Sequence, residues 1–388
     1  MIARIIFILL IVLFLPQFYL SRRKSQRSKK AWQRALRWLP ALLMGVWTVV
    51  LALKRDFVPR DLTMLNVYLV VLGVYFVPKA IYVLCSAVGR LVRKLFRVRY
   101  NWGNLVGIVL AILSAYVVVY GSFVGVRRLN VKRLEISIPN LPREFDGYRI
   151  VAFSDAHVGS FDGWRKSLLQ RDIDSINAQQ ADAIFFLGDL QNQRPSELYP
   201  VQDILSSLKA RDGVFSVLGN HDYSDYIDDP AIKAANDREM VSRQRQFGWK
   251  PLLNEHSVVR RQGAKLVIAG VENDATRGSM KPRRNLAKAM EGIREGDCVI
   301  LLQHDPYVWR TEIAPDTRIA LTLSGHTHGG QVSLFGLRPT QLTNQTDYGL
   351  YREDDRQLYV TCGIGGLLPF RFGMSPEIAV ITLRPIKN

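Results

Sequence analysis

The sequence predicts an α/β domain that is preceded by a bundle of about four transmembrane helices. Two observations lead to this prediction. Four long apolar runs fill the first third of the 388-residue chain. In the remainder, five short apolar strands each end in a motif that carries histidine, carboxylate or asparagine, and helical segments separate several of them. We therefore divide the chain into a transmembrane region at 1–126 and an α/β domain at 127–388.

The apolar runs have the length and composition of membrane spans. A spanning helix needs about 20 largely apolar residues, so the third and fourth runs are long enough and the first two are slightly short. Buried core helices of a soluble protein are the alternative, but four such runs with almost no acids between them are hard to bury in any other way. No small-residue cleavage site follows the first run, which argues against a removed signal peptide. The runs cover Ile5–Leu20, Trp38–Leu53, Leu65–Gly89 and Leu105–Val124.

The net positive charge of the chain comes from its first third. Residues 1–132 contain 21 Lys and Arg but only two acids, Asp56 and Asp61, whereas the rest of the chain contains 31 basic and 32 acidic residues. A pI near 9.9 would ordinarily suggest a nucleic-acid partner. Because the second part is nearly neutral, no nucleic acid is expected, and a lipid bilayer is the expected partner.

The connections between the spans predict the orientation. Ser21–Arg37 carries eight basic residues and Arg90–Trp102 carries five, against three in Lys54–Met64. The positive-inside bias places the two richer loops in the cytoplasm. The expected location is thus the cell (inner) membrane, which the chain would cross several times. With four spans, the second domain then faces the periplasm or the cell exterior. Four basic residues close after the fourth run oppose this assignment: Arg127, Arg128, Lys132 and Arg133. A re-entrant or interfacial first helix is the alternative.

One full charge lies deep in an apolar run. Lys79 follows Pro78 within the third run, and an ionisable residue inside a membrane is a functional candidate by default. The expectation favoured here is that Lys79 extends towards the interface, rather than taking part in transport.

The second domain alternates strands and helices. Its polar motifs follow the carboxyl ends of strands, where α/β sheets bind their ligands. Helices are predicted at Ser167–Ala178 and Pro200–Lys209. Runs at Leu266–Val271, Leu358–Thr361 and Ile378–Leu383 have little helix between the last two, which predicts a second, more mixed sheet. The other strands are predicted at Leu134–Ile138, Arg149–Phe153, Ala183–Leu187, Val214–Leu218, Val299–Leu302 and Ile319–Leu323.

Five of the six histidines lie in these motifs. Imidazole and carboxylate together are ligands of divalent transition metals, and the absence of Cys from the motifs argues against a structural thiolate zinc site. Each motif alone is weak and could be an ordinary turn, but the whole set, each after a strand, favours a metal site. The motifs are Ser154-Asp155-Ala156-His157, Leu187-Gly188-Asp189, Gly219-Asn220-His221-Asp222, Gln303-His304-Asp305 and Gly325-His326-Thr327-His328-Gly329-Gly330.

The order of these motifs resembles that of the calcineurin-like metallophosphoesterases over roughly residues 147–385. The segments Gly325–Gln331, Gly349–Arg352 and Gly363–Gly365 resemble the bacterial, membrane-associated branch of that family. The resemblance implies a two-sheet β-sandwich flanked by helices, with a two-metal active site between the sheets. Ala156 and Val158 occupy positions that often hold Leu, and neither supplies a ligand.

The resemblance also implies a role for each motif residue. Asp155, His157 and His328 would bind one metal; Asn220, His304 and His326 would bind the other; Asp189 would bridge both. His221 would protonate the leaving oxygen, and Asp222 would orient the His221 ring.

This ligand set suits hydrolysis of a phosphate ester. Two cations ~3.5–4 Å apart can hold the attacking and leaving oxygens of an in-line displacement. A metal can lower the pKa of bound water to about 7, which supplies hydroxide at neutral pH. Mn, Zn or Fe would fit the ligands, and the sequence does not distinguish among them.

The expected function is a membrane-anchored, dinuclear-metal phosphoesterase or phosphodiesterase acting on a phosphate ester, with a lipid-linked ester preferred. One alternative is a lipid pyrophosphatase of the UDP-diacylglucosamine type, which would require a cytoplasmic domain. Another is a non-catalytic metal-binding membrane protein, which the intact His221-Asp222 pair opposes.

Three further features are assigned minor roles. His256 is expected to be a surface or strand residue. The basic group of Arg277, Lys281, Arg283 and Arg284 is expected to be a solvated loop more than a phosphate clamp. The apolar run Leu367–Phe370 is expected to be a buried loop, with a membrane-facing lip as the alternative.

Overall fold

The structure is a computed structural model of the full chain, and it forms two compact units, Met1–Val124 and Gly125–Asn388. It describes residues 2–22, 30–54, 62–227, 229–274 and 283–386. The basic residues at 23–29 and 55–61, which belong to two of the predicted connections, lie outside the described residues, as do Arg277 and Lys281.

Within its described residues, the first unit has four helical segments that are long and apolar enough to cross a membrane. The second begins at Ala31 and the third runs on to Phe96, beyond the ends of the apolar runs. Lys and Arg are good helix formers, so a helix need not end where its apolar stretch ends. The helices are α1 (Ile6–Ser21), α2 (Ala31–Leu53), α3 (Thr63–Val71), α4 (Val77–Phe96) and α5 (Gly103–Phe123), with a π-helical turn at Leu72–Phe76 joining α3 to α4.

Lys79 has a partner inside this unit. Its Nζ donates a hydrogen bond to Oε1 of the buried Gln17 on α1. The ammonium also lies 5.7 Å from the ring centroid of Tyr75. Gln17 thus supplies an acceptor for the ammonium within this unit, and the extension of Lys79 towards the interface stays a prediction.

Two six-stranded sheets form from the described residues of the second unit. The first sheet has the order β1-β12-β2-β3-β4-β5, in which β2 to β5 are parallel and β12 runs antiparallel to β2. Parallel pairing brings the carboxyl ends of β2, β3 and β4 to one edge. Its strands are β1 (Asn130–Ile138), β2 (Arg149–Phe153), β3 (Ala183–Phe186), β4 (Val214–Ser216), β5 (Trp249–Pro251) and β12 (Glu377–Pro385).

The second sheet has the order β10-β11-β9-β8-β7-β6 and is mixed, as predicted. Its membership differs from the prediction in one respect. The run Ile378–Leu383 joins the first sheet as part of β12, because it pairs with both β1 and β2. The strands are β6 (Glu255–Arg261), β7 (Ala264–Gly270), β8 (Val299–Leu302), β9 (Ile319–Ser324), β10 (Gly349–Glu353) and β11 (Arg356–Val360).

Alternation along the strands creates three apolar layers. On β2, Ile150 and Ala152 face the core between the two sheets, whereas Val151 and Phe153 face the helices outside the first sheet. A third cluster covers the outer face of the second sheet around Trp309. The flanking helices are α6 (Lys166–Asn177), α7 (Gln202–Ser206), α8 (Pro230–Gln246) and α9 (Leu286–Ala289). The predicted two-sheet sandwich with flanking helices is confirmed.

Candidate metal centre

The loops after five strands bring the predicted site residues together. Three groups of ligand atoms each lie within 4.8 Å of one another, and they share members, so they form one continuous cluster. Strands β2, β3 and β4 of the first sheet and β8 and β9 of the second supply these loops. The groups are Asp155, His157 and His328; His157, Asp189 and His221; and Asp189, His304 and His326.

The backbone at this cluster adopts a conformation that side chains other than glycine rarely take. Five of the predicted metal ligands have φ between +46° and +72°. Such residues persist only where the surroundings determine them strongly, and they concentrate at functional sites. The residues are Asp155, His157, Asp189, His326 and His328.

Two glycines allow the loops to approach closely. A Cβ on Gly219 would lie 2.1 Å from Oδ1 of Asp189, and a Cβ on Gly325 would lie 2.6 Å from Oδ2 of Asp155. Neither position can carry a larger residue without moving a carboxylate of the cluster. Gly219 therefore allows close approach to a carboxylate that follows the adjacent strand, and Gly325 to one that follows a strand of the other sheet.

Asp189 divides its two carboxylate oxygens between different tasks. Oδ1 accepts the backbone N–H of His221 at 2.8 Å. Oδ2 lies 3.2 Å from Nε2 of His304 and 3.7 Å from Nε2 of His157. Oδ1 is thus held by a backbone hydrogen bond, whereas Oδ2 lies between His157 and His304. This is the geometry expected of a bridging ligand.

The buried carboxylate of Asp155 belongs to the other end of the cluster. Its oxygens accept the backbone N–H of His326 at 3.2 and 3.1 Å, and Oδ1 lies 3.4 Å from Nε2 of His328. Ser154 donates its hydroxyl to Oδ2. These contacts fix the carboxylate before any ion binds, as is usual for the groups around metal ligands.

The rings of His304 and His326 lie edge to face, with their centroids 5.0 Å apart. Nδ1 of His304 lies 2.7 Å from the carbonyl oxygen of Leu187, so this nitrogen carries the proton and Nε2 is directed into the cluster. Nδ1 of His326 lies 3.2 Å from that Nε2. The carbonyl of Leu187 therefore selects the tautomer that a metal ligand requires.

Burial keeps two of the rings neutral. It lowers the pKa of His157 well below the ordinary histidine value, and it lowers the pKa of His328 to about 4 in spite of the neighbouring Asp155. Burial alone would raise the pKa of Asp189, but attraction to protonated His304 and His221 outweighs it and holds that pKa well below its ordinary value. Burial alone would lower the pKa of His304, but attraction to Asp189 outweighs it and raises that pKa to about 10, so an ion at Nε2 of His304 would displace a proton. Neutral imidazole and ionised carboxylate are the forms that bind metals.

Several buried polar atoms in this cluster lack a hydrogen-bond partner within the described part of the chain. Both ring nitrogens of His157, Nδ1 of His328 and Oδ1 of Asn220 are among them. A buried polar atom without a partner costs free energy. Imidazole nitrogens and an amide oxygen suit divalent transition metals, so the residues present fit the ions that the resemblance implies.

The prediction that Asp222 orients the ring of His221 is not what the structure shows. Nδ1 of His221 lies 2.6 Å from the carbonyl oxygen of Asn192, which therefore orients the ring. Asp222 is fully buried beneath the loops, and burial together with the charge of Asp189 raises its pKa to about 7. Its carboxylate is occupied by four backbone N–H groups, those of Asp189, Leu190, Gln191 and Gly219.

Sequence analysis missed three residues that shape this part of the site. Asn192 supplies the carbonyl against His221, and the carboxylate of Glu197 accepts the backbone N–H groups of residues 192–194. The ring of Tyr226 lies 5.0 Å from that of His221, and its hydroxyl accepts a hydrogen bond from Asn220 at 3.4 Å. The capping pattern of Pro195 followed by Glu197 is the signal that could have revealed the loop.

Sequence analysis also missed Arg371, which holds the loop that carries His328. The side chain is only 2% exposed, and its guanidinium donates to backbone carbonyls rather than to an acid. It reaches the carbonyl of His328 at 3.2 Å and that of Cys362 at 2.8 Å, and it also bonds Gly365. Arg371 therefore ties the loop that carries His328 to the loop that packs on Asp155.

The minor candidates have structural roles. His256 lies on β6, where its Nδ1 contacts the carbonyl oxygen of Ala289 at 2.9 Å, as expected of a strand residue. Arg283 pairs with Asp225, and Arg284 pairs with Asp274 and Glu312. These two cations are thus engaged with acids, which argues against a phosphate clamp in the described part of the basic group.

Two family models match the chain. The model described as "Probable Calcineurin-like phosphoesterase, transmembrane domain" covers residues 3–126. The model described as "Calcineurin-like phosphoesterase" covers residues 148–330, which includes every residue of the cluster.

Relatives carry the same description. A Danio rerio "Transmembrane protein with metallophosphoesterase domain" is 31% identical over 70% of this chain and 61% of its own length. An uncharacterized metallophosphoesterase of Helicobacter pylori is 30% identical over 68% of this chain and 66% of its own length. One from Bacillus subtilis is 30% identical over 63% of this chain and 82% of its own length. The chain thus spans slightly less than two thirds of the first two relatives.

Proposed function

Because the chain belongs to the calcineurin-like metallophosphoesterase family, we propose that it is a membrane-anchored phosphoesterase or phosphodiesterase that uses two divalent metal ions. The observation that carries this proposal is the position of Asp189. Its Oδ2 faces His157 on one side and His304 on the other, at 3.7 and 3.2 Å. A carboxylate shared in this way serves two ions, and dinuclear sites are typical of phosphoester hydrolases.

The remaining ligands divide into two sets around that carboxylate. Asp155, His157 and His328 would hold one ion, and Asn220, His304 and His326 would hold the other. Ions bound there would activate water and polarise the phosphate. The unpartnered Oδ1 of Asn220 and the unpartnered nitrogens of His157 support this assignment.

His221 is the proposed general acid. Asn192 holds its Nδ1, which leaves Nε2 to donate a proton to the leaving oxygen of the substrate. A ring oriented through one nitrogen and free at the other is the arrangement that acid–base catalysis requires. Asp222 takes a positioning role, because its carboxylate holds the loops of Asp189 and Gly219.

A lipid-linked phosphoester is the proposed substrate class. A small cavity of about 30 Å³ with mostly apolar walls lies beside the loop that packs on Asp155. The cavity shares Gly365 with the loop on Asp155, since Gly365 donates its N–H to the Asp155 carbonyl at 3.0 Å. Its lining includes Val126, Phe161, Leu168, Ile364, Leu368 and Phe370. The run Leu367–Phe370 is half-buried there, intermediate between the two sequence-based expectations.

The proposed location of this domain is the periplasmic or outer side of the cell membrane. The charge of the connections supports it, because Arg90–Trp102 carries five basic residues, three of which lie at the C-terminal end of α4. An outward domain has access to lipid phosphates but not to cytoplasmic nucleotides.

Hydrolysis by the purified full-length protein tests the proposal. The protein in detergent would be stripped with a chelator and reloaded with Mn²⁺, Zn²⁺ or Mg²⁺, then given lipid-borne and soluble phosphoesters. We expect metal-dependent hydrolysis, with two ions bound per chain by elemental analysis. Binding of ions without turnover on any ester would support the non-catalytic alternative. Hydrolysis confined to UDP-diacylglucosamine would support the pyrophosphatase alternative.

A further inference from the structure

A projecting apolar hairpin follows the last metal-binding motif. The term apolar tip denotes the exposed hairpin residues Leu334, Phe335 and Leu337 together with Leu342, which ends the following helical turn at Pro339–Leu342. Phe335 is 97% exposed and Leu342 is 90% exposed, the highest values among the large apolar side chains described in this unit. Between Gly329 and Thr346 the sequence contains no acid and one basic residue, Arg338. Large exposed apolar groups that lie together usually mark an interaction site.

The turn at the apolar tip is strained. Leu334 and Leu337 exchange backbone hydrogen bonds at 3.0 Å, which leaves Phe335 and Gly336 as a two-residue turn. Both have positive φ, +52° and +84°. Asn or Asp normally precedes glycine in such a turn, and a bulky residue is disfavoured there. The sequence therefore places an aromatic ring at the summit of a turn whose backbone does not favour one.

The base of the hairpin is firmly held, so its exposure does not result from loose packing. Arg338 forms a bidentate pair with the buried Asp347 at 2.6 and 3.0 Å and donates to the Gly336 carbonyl at 3.2 Å. The backbone of Asp347 accepts the hydroxyl of Thr327, which lies between two proposed ligands, His326 and His328. The apolar tip is thus coupled to the metal centre through polar contacts.

A second contact fixes the hairpin to the loop beside the cavity. Ser333 donates its N–H to the Phe372 carbonyl at 2.7 Å, and Phe372 donates to the Gln331 carbonyl at 3.0 Å. The side chain of Gln331 bonds the carbonyl of Leu368, which lines the cavity. The hairpin is therefore joined by hydrogen bonds to the chain segment that lines the cavity.

We propose that the apolar tip inserts into the interfacial layer of a lipid bilayer and so brings the metal centre to lipid-borne phosphoesters. The domain is tethered close to a bilayer, because β1 begins only seven residues after the end of α5 at Phe123. Seven residues separate His328 from Phe335, which limits their separation to about 25 Å. Four side chains are also few beside the roughly 20–30 residues per partner of a stable protein interface.

Insertion can be measured without reference to activity. The full-length protein with Cys85→Ala would carry a nitroxide label at Phe335→Cys or, as the matched control, at Ile232→Cys. Ile232 is an exposed apolar residue on α8, and the remaining Cys298 and Cys362 are buried. In phosphatidylcholine nanodiscs we expect the label at 335 to collide more with oxygen and less with an aqueous nickel chelate than the label at 232.

Two outcomes would overturn the proposal. Equal exposure of both labels to the nickel chelate would place the apolar tip in water. Dipolar broadening between labels at 335 would show that a second copy of the chain covers it. Neither result depends on turnover. The proposed phosphoesterase function would therefore stand even if the apolar tip did not insert into a bilayer.

An activity measurement provides the second test and rests on the proposed function. Phe335→Ser should lower kcat/KM about tenfold on a phosphoester carried in phosphatidylcholine vesicles, in line with the loss of one buried aromatic group. Hydrolysis of a soluble p-nitrophenyl ester should not change, and Ile232→Ser should change neither. An equal loss on both substrates would mean that Phe335 acts on the site itself, against a lipid-binding role.

Discussion

Oδ1 of Asp189 accepts the backbone N–H of His221 at 2.8 Å, so the proposed bridging ligand and the proposed general acid are joined by one hydrogen bond. This contact fixes which oxygen of Asp189 is available to metals. It also makes the two residues dependent on each other for position, and mutations at either one must therefore be judged by metal content as well as by rate.

Asp189→Asn should abolish most activity and weaken binding at both metal positions. The amide oxygen can still accept the His221 N–H, but the shared anionic oxygen is lost. Elemental analysis and turnover would be measured together, with Asp316→Asn as the control because Asp316 pairs with Arg318 at the start of β9. Two tightly bound ions with near-normal turnover would show that Asp189 does not bridge.

His221→Ala should retain metal and lose about 10²–10⁴-fold in kcat, the usual range for removal of a general acid. The loss should be smaller with p-nitrophenyl esters, whose leaving group needs little protonation. Metal content is the decisive control, since His221 also lies within ligand distance of His157 and Asp189. If the variant loses an ion, His221 is a ligand; if good and poor leaving groups suffer equally, it binds phosphate.

Asp222→Asn should lower thermal stability and metal affinity together. The buried carboxylate accepts four backbone N–H groups, and an amide would turn its own NH₂ towards some of them, at a cost of roughly 1–3 kcal/mol per unsatisfied donor. Thermal unfolding and metal titration of the full-length protein would measure both effects. A fall in kcat with stability and metal affinity unchanged would instead restore the role of orienting His221.

Asp172→Asn should stabilise the protein near neutral pH. Burial raises the pKa of Asp172 on α6 to about 6 despite its pair with Arg171, against about 3.9 in an unfolded chain. The stability contributed by Asp172 is therefore present below pH ~4 and is lost as pH rises through about 6. The variant should gain roughly 1–3 kcal/mol above pH 6 and little at pH 4. Thermal unfolding from pH 4 to 8 tests this, with the exposed Asp174→Asn as control. A gain that does not vary with pH would exclude titration of Asp172 as its cause.

The orientation prediction can be tested with introduced cysteines in a Cys85→Ala background. A membrane-impermeant thiol reagent applied to spheroplasts should label Ser196→Cys and spare Arg99→Cys, since both positions are exposed but lie on opposite sides in the predicted topology. The loop residue Ser25, an equivalent choice on charge grounds, lies outside the described residues. The opposite labelling would place the domain in the cytoplasm and favour the pyrophosphatase alternative.

The local sequence determined the elements and the identity of the candidate ligands. Apolar runs of about 20 residues require helices in a bilayer, and buried strands read as short continuous apolar runs. The four-residue motif Gly219-Asn220-His221-Asp222 combines a turn glycine with a candidate metal ligand and a candidate general acid. These features depend on neighbouring residues alone, so they can be recognised without a structure.

The tertiary structure decided the contacts between residues far apart in the chain. The residue next to His221 suggested a partner for its ring, but the carbonyl of Asn192, 29 residues away, holds that position. Likewise, β12 entered the first sheet because it pairs with β1 and β2 rather than with its sequence neighbours. Side-chain and backbone donors compete for each buried acceptor, and only the packed chain determines which donor reaches Asp222. The candidate ligands could thus be identified from the local sequence, whereas their orientation depends on how distant segments pack together.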